Sequence, residues 1–310
     1  MEPLPPVILL MGPTAAGKTD IAVELAGQGG YEIVSVDSAL VYRGMDIGTA
    51  KPGPGTLAKA PHFLIDIRDP AEAYSAAEFV NDADQVISAI HQRGNIPLLC
   101  GGTMLYFRAL TEGLSELPAA DDDIRHALVA EAEVSGWEAM HQQLQKIDPE
   151  SATRIHPNDP QRIQRALEIY RITGSSMTDW LKENKPQGLP YDFRHYVVAP
   201  ADRSLLHQRI EQRFDRMLQA GFIDEVETLR CREDLNLEKP SMRAVGYRQI
   251  WQYLDGKYDL GEARLKAIYA TRQLAKRQYT WLRGLKKGRW YDSNNSAETK
   301  RLMDEISLEP

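Results

Sequence analysis

The chain has 310 residues, 43% hydrophobic and 26% charged, which is the composition of a folded globular protein large enough for one big domain or two modest ones. Apolar runs fall short of a membrane span, and the start, "MEPLPPVILLMG", lacks the basic region and long apolar stretch of a signal peptide. A net charge of −7 disfavours a polyanionic partner overall, and two cysteines, Cys100 and Cys231, make neither a disulfide framework nor a zinc cluster. A cytoplasmic, reducing location is therefore expected.

In chain order, Val7–Met11 reads as a buried strand, followed by a glycine-rich turn and a helix running to about Leu25. "YEIVSVDS" predicts a second strand ending at Asp37, and "HFLIDI" is a candidate third. Ser75–Arg93 predicts a helix. Ser75 and Glu78 form a capping box, Phe79, Ala83, Val86, Ile87 and Ile90 share one face, and Gly94 stops it. "IPLLC" and "HYVVA" give a fourth and a fifth strand. Strands alternating with helices predict an α/β fold, a parallel sheet flanked by helices.

From about Leu114 to Leu189 the pattern is helical, with "DDDIRHALVAEAEVSGWEAMHQQL" and "PQRIQRALEIYRITG" both amphipathic. The expected organisation is a core beginning at residues 1–113, a helical insertion at 114–190, and completion of the core at 191–310 with a basic helical segment. From Ala263 to Tyr291 there is no acidic residue, and the stretch carries nine Lys and Arg, including Arg272, Lys276, Arg277 and Arg283. A local basic surface can bind a polyanion on a protein that is acidic overall.

Gly12-Pro13-Thr14-Ala15-Ala16-Gly17-Lys18-Thr19 fits the G-x-x-x-x-G-K-[ST] phosphate loop, between a strand and a helix as the loop requires. Glycines turn backbone amides towards an anion, the helix N-terminus adds its dipole, Lys18 a charge and Thr19 a hydroxyl for Mg2+. The pattern predicts a diphosphate or triphosphate and says nothing of what carries it. Asp37, 20 positions past Gly17, ends a strand on the same sheet edge, where open α/β sheets bind ligands. Thr103, after "CGG", either reaches that crevice or simply caps the next helix, and Gly101 and Gly102 suit a close backbone approach.

The segments "GPTAAGKT", "VDSALVYRGMDIGTAKP", "CGGTMLYFRAL", "DPQRIQRALEIYRITG", "RAVGYRQIWQYL" and "ATRQLAKRQYTWLRG" resemble, in order and spacing, bacterial tRNA dimethylallyltransferases (tRNA isopentenyltransferases, MiaA). The family commonly has Ser at Ala16 and Gln at Leu40. The resemblance implies that the loop grips the pyrophosphate of dimethylallyl diphosphate, with Mg2+ as cofactor. The acceptor is then N6 of adenosine 37 in the anticodon stem-loop of tRNAs that read codons starting with U. It further implies a cytoplasmic, monomeric enzyme.

On that resemblance Asp37 is the general base, Thr103 holds Asp37 or the amine, and Lys18, Thr19 and Arg213 stabilise the leaving diphosphate. Arg209 and Arg216 lie close enough in sequence to be confused with Arg213. Contacts to tRNA are implied at Asp37, Ser38, Ala39, Leu40 and Thr103. In the insertion they fall on Arg125 and on Gln161, Arg162, Ile163, Gln164 and Arg165. Beyond it they fall on Met242, Arg243, Ala244, Val245, Gly246 and Tyr247, and on Lys276, Arg277 and Trp281. "RQLAKRQYTW" interleaves cations with Tyr279 and Trp281, which suits phosphates and stacked bases, or else a helix with both aromatics in the core. A small-molecule or nucleotide kinase using ATP, and a non-catalytic RNA-binding protein, remain open on the loop and the basic segment taken singly.

Overall fold

The computed structural model describes residues 3–115, 117–184 and 186–308. The chain divides into two compact units, Met1–Thr111 with Leu189–Pro310, and Glu112–Gly188. The smaller unit covers most of the stretch 114–190 in which a helical insertion was expected.

The first unit is built on a parallel sheet. Its elements begin with β1 (Pro6–Met11), α1 (Lys18–Gly27), β2 (Tyr31–Val36), α2 (Pro54–Lys59) and β3 (His62–Phe63). They continue with α3 (Ala76–Gln92), β4 (Ile96–Gly101) and α4 (Met104–Glu112). The capping box on α3 is present, and Phe79, Ala83, Ile87 and Ile90 are its buried face. "HFLIDI" yields only the two residues of β3, because Leu64 and Asp66 turn to φ 61° and 55° and leave the extended conformation. Asp37 sits one residue past the end of β2 rather than on it.

The second unit holds α5 (Asp122–Ser135), α6 (Trp137–Ile147), α7 (Pro149–Arg154), α8 (Pro160–Thr173) and α9 (Met177–Glu183). Leu128, Met140, Leu144, Ile163 and Leu167 form its core. Asp148 caps α7 and ties it to α9, accepting from the Ser151 and Thr178 amides at 2.9 Å each.

The chain then returns to the first unit with β5 (Asp192–Ala199), α10 (Arg203–Gln219), α11 (Phe222–Arg230) and α12 (Tyr247–Leu254). It closes with α13 (Leu260–Arg283), β6 (Arg289–Asp292) and α14 (Ser296–Leu308). The sheet order is β3-β2-β4-β1-β5-β6, all neighbours parallel. A sixth strand was not expected in a stretch read as helical. Its four residues, RWYD, are too short a run to show a period of two.

Side chains alternate across β1: Val7, Leu9 and Met11 join α3 and α4 in one core, while Ile8 and Leu10 join α1 and α14 in the other. Both faces are covered, which is why these strands read as continuous apolar runs. β1 lies between β4 and β5, so the chain leaves it at the point where strand order reverses. Among the described residues no helix is long and apolar enough to cross a membrane.

Candidate active site

The phosphate loop opens at that reversal point. Gly17 caps α1 at φ 90°, a left-handed conformation, and offers no side chain to the first-turn amides of the helix. Those amides are left facing outward for an anion. Lys18 folds back over the loop, its Nζ donating to the carbonyls of Gly12 (2.9 Å) and Pro13 (2.8 Å). Burial disfavours its charged form and brings its pKa down to about 8.

Gln278 clamps the loop from α13. The Thr14 amide donates to its Oε1 at 2.9 Å, and its Nε2 donates to the Gly102 carbonyl at 2.8 Å. A Cβ on Gly102 would lie 2.5 Å from that Nε2, so this approach requires glycine. Sequence reasoning missed Gln278, which sits unremarked between Arg277 and Tyr279; its only signal is a polar residue on the buried side of an amphipathic helix.

A cavity of about 680 Å³ brings the loop together with Asp37, Leu40, Cys100, Arg209, Arg213 and Arg216. The Asp37 carboxylate uses Oδ1 locally, accepting from the amides of Ala39 (2.8 Å) and Leu40 (3.3 Å). Arg213 donates from Nη2 to the Thr49 carbonyl at 3.1 Å. Arg209 is held by Ser293 and Asn294, and Arg216 by the Gln212 carbonyl, so all three arginines left undistinguished by sequence reach the same cavity. Burial pushes the Cys100 thiol up to about 11, which keeps it neutral and unreactive.

Thr103 does not meet Asp37. Its Oγ1 accepts from the Ser38 amide at 3.0 Å, so it fixes the turn after β2 instead of the carboxylate. Its carbonyl meanwhile accepts from the Tyr106 amide at 3.0 Å, opening α4. Thr103, Ser38 and Ala39 do not line the cavity. Further along this segment, Glu225 accepts from the amides of Asp46, Ile47 and Gly48 and from the Tyr247 hydroxyl, pinning the stretch that presents Thr49 to Arg213.

The residues expected to touch RNA separate into two kinds. Met242, Gly246 and Tyr247 are buried, and the Met242 and Tyr247 side chains pack into the core of the first unit. Arg243 is exposed and paired with Glu238, and Ala244 and Val245 are partly exposed. In the second unit Ile163 is core. Arg125 and Arg165 converge on the fully buried Glu168 at 3.0 and 2.8 Å, and Gln164 donates to the Arg125 carbonyl, so each of the three has a partner within this unit. Gln161 and Arg162 remain exposed.

On α13, Lys276 and Arg277 are exposed and form no ion pair among the described residues. Trp281 is 42% exposed, with the Arg108 guanidinium 5.6 Å from its ring. Tyr279 is buried and bonded to the Pro200 carbonyl, so one aromatic of the motif is core and the other is surface. Arg264 and Arg272 are tied to Glu211 on α10, and Arg264 also to Asp215, which removes them from the free basic surface.

Residues 40–285 match the family profile described as IPP transferase. The chain is similar to the full-length tRNA isopentenylpyrophosphate transferase of Bacillus halodurans, at 38% identity over 97% of this chain and 95% of that one, with a TM-score of 0.72. It is similar to the tRNA delta(2)-isopentenylpyrophosphate transferase of Staphylococcus epidermidis at 33% identity over 98% of each chain, TM-score 0.70. A eukaryotic dimethylallyltransferase acting on tRNA matches at 27% identity over 99% of this chain and 80% of that one, TM-score 0.82.

Proposed function

The chain belongs to the IPP transferase family, and from that premise we propose that it transfers a dimethylallyl group from dimethylallyl diphosphate to N6 of adenosine 37 in tRNAs reading codons that start with U. The observation that carries the reading is the single cavity holding the phosphate loop, Asp37 and Arg213. The diphosphate takes the outward amides at the start of α1, and Lys18 leaves the Gly12 and Pro13 carbonyls to meet it. Diphosphate binding favours the charged ammonium that burial alone disfavours.

The C–O bond to the diphosphate breaks as the N6–C bond forms. N6 is a weak nucleophile because its lone pair is delocalised into the ring, so removal of its proton must accompany attack. Asp37 takes that proton, and its second carboxylate oxygen, Oδ2, serves as the acceptor while Oδ1 holds the turn. Lys18 and Arg213 stabilise the charge that grows on the departing diphosphate. Thr103 acts as a positioning residue through Ser38.

The residues fit Mg2+ held mainly by the substrate. Thr19 offers a hydroxyl in the first turn of α1, and among the described residues no three His, Cys, Asp or Glu side chains cluster into a cage. When bound, the ion neutralises charge on the diphosphate. The anticodon loop suits the acceptor, since an unpaired base leaves its stack at low cost.

The test is incubation with labelled dimethylallyl diphosphate, Mg2+ and unmodified tRNA. Label in the RNA at adenosine 37 is expected. Phosphoryl transfer from ATP with no label in RNA would overturn the reading in favour of a kinase.

A further inference from the structure

A second cavity, about 490 Å³, opens at the carboxyl ends of β5 and β6. It adjoins the diphosphate cavity in sequence: Asp292 and Glu298 line one, Ser293 and Thr299 the other. Its size lies within the range of small-ligand sites. Tyr279 and Trp290 form its aromatic wall, their ring planes 11° from parallel and their centroids 6.3 Å apart. Tyr279 is held by its hydroxyl on the Pro200 carbonyl, whereas Trp290 is 39% exposed and its indole makes no hydrogen bond among the described residues.

The charges in this cavity are sorted. Asp292 accepts from the amides of Ala201 (3.2 Å) and Asn294 (2.9 Å), and Glu298 accepts from the Asp292 amide (2.7 Å). One oxygen of each carboxylate, Asp292 Oδ1 and Glu298 Oε2, is thus held by backbone amides. Arg203 and Arg283 lie 5.6 and 5.8 Å from the Tyr279 ring and form no ion pair among the described residues. An exposed indole beside two free guanidiniums recognises one chemistry well, a planar base carrying a phosphate.

We propose that this cavity is a nucleotide subsite, in which one base stacks on Trp290 and its phosphate meets Arg203 and Arg283. The proposal rests on the RNA-modifying reading, because a neighbouring nucleotide of the substrate held here would anchor the loop while adenosine occupies the reaction cavity. A free nucleotide offers the same chemistry, and the experiment separates the two.

The measurement is binding of AMP and of unmodified tRNA to wild type, Trp290→Ala, Trp290→Phe and Arg203→Ala, followed by tryptophan fluorescence and filter retention, with melting curves for each variant. Trp290→Ala should weaken binding about ten- to hundredfold and Trp290→Phe much less, since stacking needs only an aromatic face. Arg203→Ala, at an exposed position, should weaken binding without lowering the melting point, and it carries the test if Trp290→Ala fails to fold. Loss for tRNA assigns the subsite to the substrate, and loss for AMP assigns it to a free nucleotide. Unchanged affinity for both in Arg203→Ala and in a folded Trp290 variant overturns the proposal. Pyrophosphate protection against heat, read in the same variants, reports the phosphate loop separately. Protection should persist throughout, and its absence in wild type would sink the diphosphate reading without touching this one.

Discussion

On the proposed function the phosphate loop and the outer face of α13 both receive anions, yet they are built differently. The loop uses backbone: a left-handed Gly17, the amides of the first turn of α1, and a buried lysine held on two carbonyls. The face of α13 uses long exposed side chains, Lys276 and Arg277, with few neighbours to fix them. A backbone site recognises one ligand geometry and tolerates little change. A side-chain surface contributes charge in increments, and any one cation can be lost at modest cost.

The sharpest way to break this comparison lies at Asp37. Asp37→Ala should lower turnover by about 10²–10⁴ while tRNA and diphosphate affinities stay within a few fold. Near-normal single-turnover rates in the variant would remove Asp37 from proton transfer.

The second test is pH. With the Lys18 pKa near 8 in the free protein, diphosphate binding above that pH must take up a proton. Affinity for inorganic pyrophosphate should then fall by about tenfold per pH unit above 8, and calorimetry in buffers of different ionisation heat should detect the proton uptake. Folding stability of the free protein moves the other way: between pH 8 and 10.5 the unfolded chain holds a proton that the folded one has released, so stability rises with pH. A pH-independent affinity through this window would show that Lys18 is charged throughout.

Gln278 should give a smaller effect that divides the two regions, since it sits on α13 but serves the loop. Gln278→Ala leaves the Thr14 amide and Gly102 carbonyl without their partner, costing about 1–3 kcal/mol of stability by denaturant titration. Pyrophosphate affinity should fall with it, while the salt dependence of tRNA binding stays unchanged. A change in the salt dependence would mean that Gln278 acts on RNA after all.

The smallest effect belongs to the basic face. Replacing Lys276 and Arg277 together with Ala should flatten the log–log salt slope of tRNA binding by about 1 to 2 units. Arg272→Ala should leave it unchanged, because Arg272 is already paired with Glu211. If Arg272 proves the larger of the two, the exposed cations are solvated and the pairing seen here gives way on binding.

Much of the first unit was legible because its signals are local. The β1–loop–α1 run follows from glycine positions and apolar spacing, and α3 from a capping box three residues long in reach. β6 was illegible, since a four-residue edge strand exists only through its pairing with β5. Met242 and Tyr247, grouped by motif with exposed Arg243, turned out to be core, because which side of a turn faces inward depends on what packs there.

The sequence alone determined the parallel α/β core, the helical insertion and the phosphate loop, because periodicity and glycine stereochemistry act between residues near one another in the chain. Only the tertiary structure decided which cations are free. Arg264 and Arg272 find their carboxylates about 50 to 60 residues away on α10, and Gln278 finds Thr14 across 264 positions. Such pairings are set by how α13 packs against α10 and the sheet edge, and no local pattern encodes them.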